Sequence, residues 1–359
     1  MIKIVVRMRR WVALSLVLFR VVSKRMRRRL KLRMLVRIAR KDPFVSDSEK
    51  PFRILGKLDV MNGLSRAYRY ERDRVTEQQG DISGGHEDCR YLLMGQPQSY
   101  WPLLLCPPPG FRSSYRIGLW VTEFERAPSD WRFAGDIVHE VWTPSHFSAE
   151  AIRQIVDVPV HVVPYAVRVR RVPAMDRSAF VPATCYLGMA IMDLRTCPER
   201  KNPLGHVRAW LSAFGDDPSC VLLMKVRFSK KTQFMRDLLC AEVASSRNII
   251  LTEMSFSDLE MPAFQAMADV YLSLHRSEGY GLNIQEMLEI GVPTIATGWS
   301  GNMDFMPGYA HAIAVPYTLI PYADTTFHYA EEGLLWADPD IVAAADALRR
   351  VRDAHDRLR

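Results

Sequence analysis

Two linked runs decide the fold: Ala268-Asp269-Val270-Tyr271-Leu272-Ser273-Leu274, then Ser277-Glu278-Gly279-Tyr280-Gly281-Leu282-Asn283-Ile284-Gln285-Glu286-Met287-Leu288-Glu289-Ile290-Gly291-Val292-Pro293-Thr294-Ile295-Ala296-Thr297-Gly298. Residues 268–274 are β-branched and apolar, as a buried strand requires, and Val292 to Thr297 has the same character. Between them a glycine-rich turn opens a helix, and Gly291 stands at its C′ position. This is a βαβ unit whose helix starts at the carboxyl end of a parallel sheet, where open α/β sheets hold their ligands. Gly279 and Gly281 strip side chains from the turn, so N–H groups bearing the partial positive charge of the helix start can approach an anion such as a diphosphate. Glu278 and Glu286 have seven residues between them, which puts one carboxylate in the loop and the other about two turns into the helix. Both can accept hydroxyl hydrogen bonds. A ligand with hydroxyls at both ends and a diphosphate in the middle is a nucleotide sugar.

The segment resembles the donor-site signature of retaining glycosyltransferases of the GT-B fold, family 4, bacterial type: Glu-x7-Glu with Gly-(Phe/Tyr)-Gly after the first Glu. The resemblance implies an α/β protein of two Rossmann-like domains facing across a cleft. It gives Glu278 a contact to the donor sugar and Glu286 a contact to the ribose, with Gly279, Tyr280, Gly281 and Leu282 lining the donor site. The plainer reading is a glycine turn followed by a helix with solvated glutamates.

Upstream, Cys185 to Ile191 is strand-like, and Glu199-Arg200-Lys201-Asn202-Pro203-Leu204-Gly205 leads into a helix through Val207, Trp210, Leu211 and Phe214. Two cations just before a helix start add to its partial positive charge and suit a diphosphate leaving group. The family carries Arg-Lys-Asn-Pro or Arg-Lys-Gly here and uses its basic residues on the donor pyrophosphate. Lys201 matches best, and the second cation is Arg200 or Arg195. Cys220 to Val226 and Asn248 to Thr252 complete the strand pattern, with helices at Thr232 to Ala244 and Leu259 to Met267.

Phe52 to Gly56 opens the first half as a strand, followed by a loop, Asn62-Gly63-Leu64-Ser65-Arg66-Ala67, that enters a helix. Gly63 resembles the glycine loop that GT-B enzymes place near the cleft, and a plain turn fits as well. Within the loop-rich 79–113 one short strand is expected, Tyr91 to Met94 or Leu103 to Cys106. Ile117 to Val121 is a buried strand from which Glu123 and Glu125 emerge, and Asp136 to Ser145 is a strand ending at an N-cap serine. The same bacterial group resembles this block with Gly-x-Trp-x-x-Glu-hydrophobic-Glu, then Pro and Trp. Glu123 is then an acceptor or sugar contact; a strand-end carboxylate satisfied by a helix N-terminus is the alternative. Many relatives have a histidine in this region where the chain has Thr122-Glu123, so the resemblance assigns no acid/base group.

The expected division is an N-terminal extension over 1–50, an acceptor-side domain over 51–167, a linker over 168–182 and a donor-side domain over 183–359. Ile341 to Leu358 is a helix that starts amphipathic and becomes very basic; a terminal helix of this fold usually crosses back to the first domain, whereas this one stops abruptly at Arg359, and Asp338-Pro339-Asp340 suits its N-cap better than a metal site. No metal or cofactor is expected, only the nucleotide sugar as co-substrate.

The 359 residues carry 48 Lys and Arg against 40 Asp and Glu, a net +8. Residues 1–41 hold 15 of the basic residues and no acid, leaving 33 basic and 40 acidic residues elsewhere, a net −7. The positive charge belongs to the tail, and the body offers no nucleic-acid motif, so no nucleic-acid partner is expected. Trp11 to Phe19 is too short to span a bilayer as a helix and lacks a cleavage site, whereas Met26 to Arg40 suits a basic amphipathic helix on anionic lipid. A disordered extension or an upstream start is the other reading. The six cysteines are scattered without zinc or Cys-x-x-Cys spacing, as reduced thiols of a cytoplasmic protein, soluble or peripheral on the membrane. The functions in view are sugar transfer to a glycan or lipid-linked acceptor hydroxyl with retention, or, alternatively, a non-catalytic binding module or a membrane-associated interaction protein.

Overall fold

The computed structural model describes residues 50–55, 63–79, 89–169, 172–326 and 332–358, with Val36 and Arg40. The chain builds two parallel sheets, one after the other.

In the first sheet, β1 (Phe52–Leu55), β2 (Arg90–Met94), β3 (Arg116–Leu119), β4 (Glu140–Thr143) and β5 (Val160–Val162) lie side by side in chain order. Of the two strand candidates in 79–113, Tyr91 to Met94 pairs and Leu103 falls in the short helix α2 (Trp101–Leu105). The stretch expected as strand from Asp136 pairs only over Glu140–Thr143, because Ser129–Asp136 winds into a 3₁₀ turn that buries Trp131 and Ala134. Helix α1 (Gly63–Gln79) covers one face through Tyr68 and Val75 against Phe52, Leu92 and Ile117. Trp120, Trp131, Ile137 and Ile152 fill the other face, and Val36 from the basic tail packs against that cluster. Apart from Val36 and Arg40, residues 1–41 lie outside the described residues, as does Asn62. Helix α3 (His146–Arg153) starts at Ser145, whose Oγ accepts the Ser148 N–H at 3.1 Å, as the N-cap reading requires.

The second sheet contains β6 (Tyr186–Asp193), β7 (Cys220–Arg227), β8 (Ile249–Thr252), β9 (Val270–Ser273), β10 (Thr294–Thr297) and β11 (Ala312–Val315). Their order is β11-β10-β9-β6-β7-β8, all parallel, so the winding reverses between β6 and β9. Strands covered on both faces are apolar throughout rather than alternating. Here Leu222, Met224 and Val226 face helix α5 (Pro203–Phe214), while Val221 and Leu223 share a cluster with α7 (Glu260–Gln265) and α8 (Leu282–Glu289). Short α4 (Pro198–Lys201) precedes α5, and α6 (Gln233–Val243) follows β7.

A hairpin, β12 (Tyr317–Pro321) with β13 (Leu335–Pro339), leads to α9 (Ile341–Arg357). Asp340 caps α9, accepting from the Val342 and Ala343 N–H groups at 2.9 and 3.0 Å. Ala344, Ala347 and Leu348 place α9 in the second core beside Trp210 of α5. No helix among the described residues is long and apolar enough to cross a membrane.

Candidate active site

The reversal between β6 and β9 opens a crevice at their carboxyl ends, and the two loops leaving it are stitched together. The Arg276 N–H donates to the Arg200 carbonyl at 2.7 Å, and the Arg200 guanidinium donates to the Ser277 carbonyl at 2.8 Å. Asn202 caps α5 from a left-handed conformation (φ 50°), while its Nδ2 donates to the Leu274 carbonyl at 2.9 Å. His206 completes the seam: Nε2 accepts the Leu274 N–H at 2.9 Å, which places the proton on Nδ1, 2.8 Å from the Asn202 carbonyl. Burial lowers the His206 imidazole to about 4, so it is neutral.

Within this frame Glu278 meets both candidate cations. Lys201 Nζ hydrogen-bonds its carboxylate, and Arg200 lies 3.4 Å away. Burial acts to raise the Glu278 carboxyl, but the charges of Lys201, Arg200 and His275 outweigh it and hold it at about 2. Arg200 also reaches Glu123, at 3.4 Å. Arg195 lines the same cavity, tied to Asp193 at 2.6 Å. Arg200 thus shares the carboxylates of Glu278 and Glu123, whereas Arg195 is paired with Asp193.

A cavity of about 510 Å³ joins these groups to the turn Gly279, Tyr280, Gly281 and Leu282 and to first-sheet residues Arg66, Val121, Glu123 and Tyr165. Gly281 adopts φ 92° at the start of α8, a conformation that glycine alone adopts without strain. Gly279 lacks a side chain for a second reason. A Cβ there would sit 2.3 Å from Val121 Cγ2 and 2.8 Å from the Thr122 carbonyl, so the first domain occupies that space. Its carbonyl accepts from Ser145 Oγ at 2.6 Å and Ser148 Oγ at 3.3 Å. Tyr280 packs edge-on to Tyr165, ring centres 5.0 Å apart, making it part of the contact between the sheets. Backbone N–H groups from Gly279 to Asn283 have no acceptor among the described residues, and these residues line the cavity.

Glu286 sits apart. It is 2% exposed and lines a neighbouring cavity of about 290 Å³ with Tyr70, Asp258, Met261 and Gln265. Arg66 of α1 pairs with it at 2.8 Å, Tyr70 donates to it at 3.1 Å and Gln265 at 2.9 Å. Gly63 is the first residue of α1, three positions before Arg66, and the loop 56–62 leading to it lies outside the described residues. Arg66, Tyr165, Asp193 and His206 were not singled out from the sequence. Arg66 alone had a signal, its place one helical turn after Gly63.

No group of three or more His, Cys, Asp or Glu among the described residues is placed to hold a metal ion, and none of the six cysteines is in a disulfide.

With this geometry in place, comparison with known proteins bears on the fold. No family model matches the chain, and no curated protein matches it in sequence. Solved structures do. A mutant of S. aureus TarM, in complex with Fondaparinux, alpha-GlcNAc-glycerol and UDP, superposes with a TM-score of 0.52 at 14% identity, over 81% of this chain and 52% of that one. The E. coli trehalose-6-phosphate structure bound with UDP-2-fluoro glucose gives 0.52 at 9% identity, over 82% and 72%. The UDP-forming α,α-trehalose-phosphate synthase of Burkholderia xenovorans, in complex with glucose-6-phosphate, gives 0.50 at 10%, over 81% and 72%. The fold is GT-B. Two Rossmann-like domains face each other across the cleft that holds Glu278 and Lys201. The chain spans about half the length of TarM and seven tenths of the trehalose-associated structures.

Proposed function

We propose that this chain transfers a sugar from a nucleotide-diphosphate donor to a hydroxyl of a glycan or lipid-linked acceptor, with retention of configuration and without a metal, as a family 4 enzyme of polysaccharide biosynthesis. The observation that carries it is the triad of Glu278, Lys201 and Arg200 where β6 and β9 diverge, Arg200 buried and the other two partly so, beside Glu123 of the other domain. The domain division proposed with it is 51–167 on the acceptor side and 183–359 on the donor side, joined through 168–182.

Departure of the diphosphate is the costly event. Lys201 and Arg200 would take up its developing charge with the N–H groups from Gly279 to Asn283, in a cavity that limits competing water. Glu278, ionised far below neutral pH, would accept hydrogen bonds from the sugar hydroxyls, and Glu286 from the ribose. Glu123, on the first-domain wall of the cavity, would contact the acceptor or the sugar. With retention, the acceptor oxygen bonds to the anomeric carbon on the face the diphosphate leaves, and the departing phosphate oxygen takes the hydroxyl proton. The basic tail would hold the protein on the cytoplasmic membrane face, and Val36 against the first core would set where that tail begins.

The test is a panel of UDP- and GDP-sugars, read by thermal stabilisation and donor hydrolysis in EDTA, with the product anomer assigned by NMR. UDP-sugars head the panel because the fold neighbours hold UDP or are named for forming it. One donor that stabilises the protein and is turned over with retention is the expected result. Silence across the panel from folded protein would overturn it.

A further inference from the structure

Every acidic group of the larger cavity is already matched by a cation: Asp193 by Arg195, Glu123 by Arg200, and Glu278 by Lys201 and Arg200. An entering diphosphate must therefore draw a cation from an existing partner. Arg200 is the hardest to move, since it also donates to the Ser277 carbonyl at 2.8 Å. Arg66 differs from the rest. It lines both cavities and so stands at their boundary, reaching from α1 of the first domain to Glu286 at 2.8 Å and to Asn283 Oδ1. Its carboxylate partner would not be stranded by its departure, because Tyr70 and Gln265 donate to Glu286 independently at 3.1 and 2.9 Å.

We propose that Arg66 is a donor-binding residue that exchanges Glu286 for the diphosphate of a nucleoside diphosphate. In the ligand-free chain it bridges the two cavities' boundary on Glu286. In the loaded chain ribose hydroxyls take its place on Glu286, and its planar guanidinium pairs with a phosphate oxygen in the geometry that arginine favours. Because α1 belongs to the first domain, the exchange also makes donor occupancy a property of both domains. The inference rests on the nucleotide-sugar reading above and deepens it.

The experiment is a double-mutant cycle in the full chain, with UDP, GDP and ADP as probes and affinity measured by calorimetry. Arg66→Met should weaken the diphosphate that wild type binds by about 10- to 100-fold, the range of a charge-assisted hydrogen bond. The same loss should persist, or grow, in a Glu286→Gln background, where Arg66 has no competing carboxylate. If Arg66 merely braces Glu286, its loss should cost nothing further once that carboxylate is gone, and that result overturns the proposal while leaving the transferase reading intact. Arg66→Lys keeps the charge without the planar fork and should fall between wild type and Arg66→Met; a lysine variant as weak as the methionine one, with unchanged thermal stability, would also count against phosphate pairing. A wild-type protein that binds none of the three diphosphates overturns the nucleotide-sugar reading and this inference together.

Discussion

Glu278 and Glu286 leave the same turn and helix, yet the structure satisfies them from opposite sides of the molecule. Glu278 is held by Lys201 and Arg200 of its own domain, in a seam fixed by Asn202 and His206. Glu286 is held largely by Arg66 and Tyr70, which arrive on a helix of the other domain. The cations on Glu278 thus come from its own fold unit, with the first domain touching that end through Glu123 and Ser145. The cation on Glu286 comes from the other unit, and it is there that donor binding, as proposed, would be linked to the approach of the domains.

The largest expected effect lies at the preassembled end. Glu278→Gln should lower turnover by about 10²- to 10³-fold, as removal of a preorganised polar group does elsewhere, with the loss in kcat rather than in folding. A variant that keeps wild-type turnover would break the distinction between the two ends. Acid should loosen the same end through His206. Its folded value lies near 4 against 6.5 for a free imidazole, so the unfolded chain binds the extra proton and stability falls as pH drops from about 6.5 towards 4. The expected slope is about 1.4 kcal/mol per pH unit for this group, and denaturant titrations of wild type and His206→Gln across that window should diverge accordingly.

Where Gly279 meets the first domain the effects are smaller. Gly279→Ala would push a methyl group against Val121 and the Thr122 carbonyl and should cost about 1–3 kcal/mol, seen as a lower thermal midpoint. No change would mean the domains do not meet at Gly279. Ser145→Ala removes both the cap of α3 and the hydroxyl that bonds the Gly279 carbonyl, for about 1–2 kcal/mol. Its effect should shrink in a Gly279→Ala background, where that contact is already disturbed.

The same contrast explains what could be read from the chain alone. The second sheet was visible because strands covered on both faces stay apolar along their length, and because α8 and α9 carry their caps in sequence at Gly281, Gly291 and Asp340. Glu278 and Lys201, 77 positions apart, came together only through the resemblance, since spacing within one element cannot reveal a contact between loops. Arg66 could not be found that way. On α1 it is one of four arginines, with Arg69, Arg72 and Arg74, and reads as part of a solvated face. Its partner lies across the domain gap, where no periodicity reports.

The most direct measurement is the affinity of the full-length protein for UDP and GDP, compared between wild type and Lys201→Ala by calorimetry. If the crevice between β6 and β9 is the diphosphate site, wild type should bind one of them and Lys201→Ala should bind it about 10- to 100-fold more weakly, with the fold intact. Equal affinity in the two proteins, or no binding by wild type, would contradict a diphosphate site at Lys201.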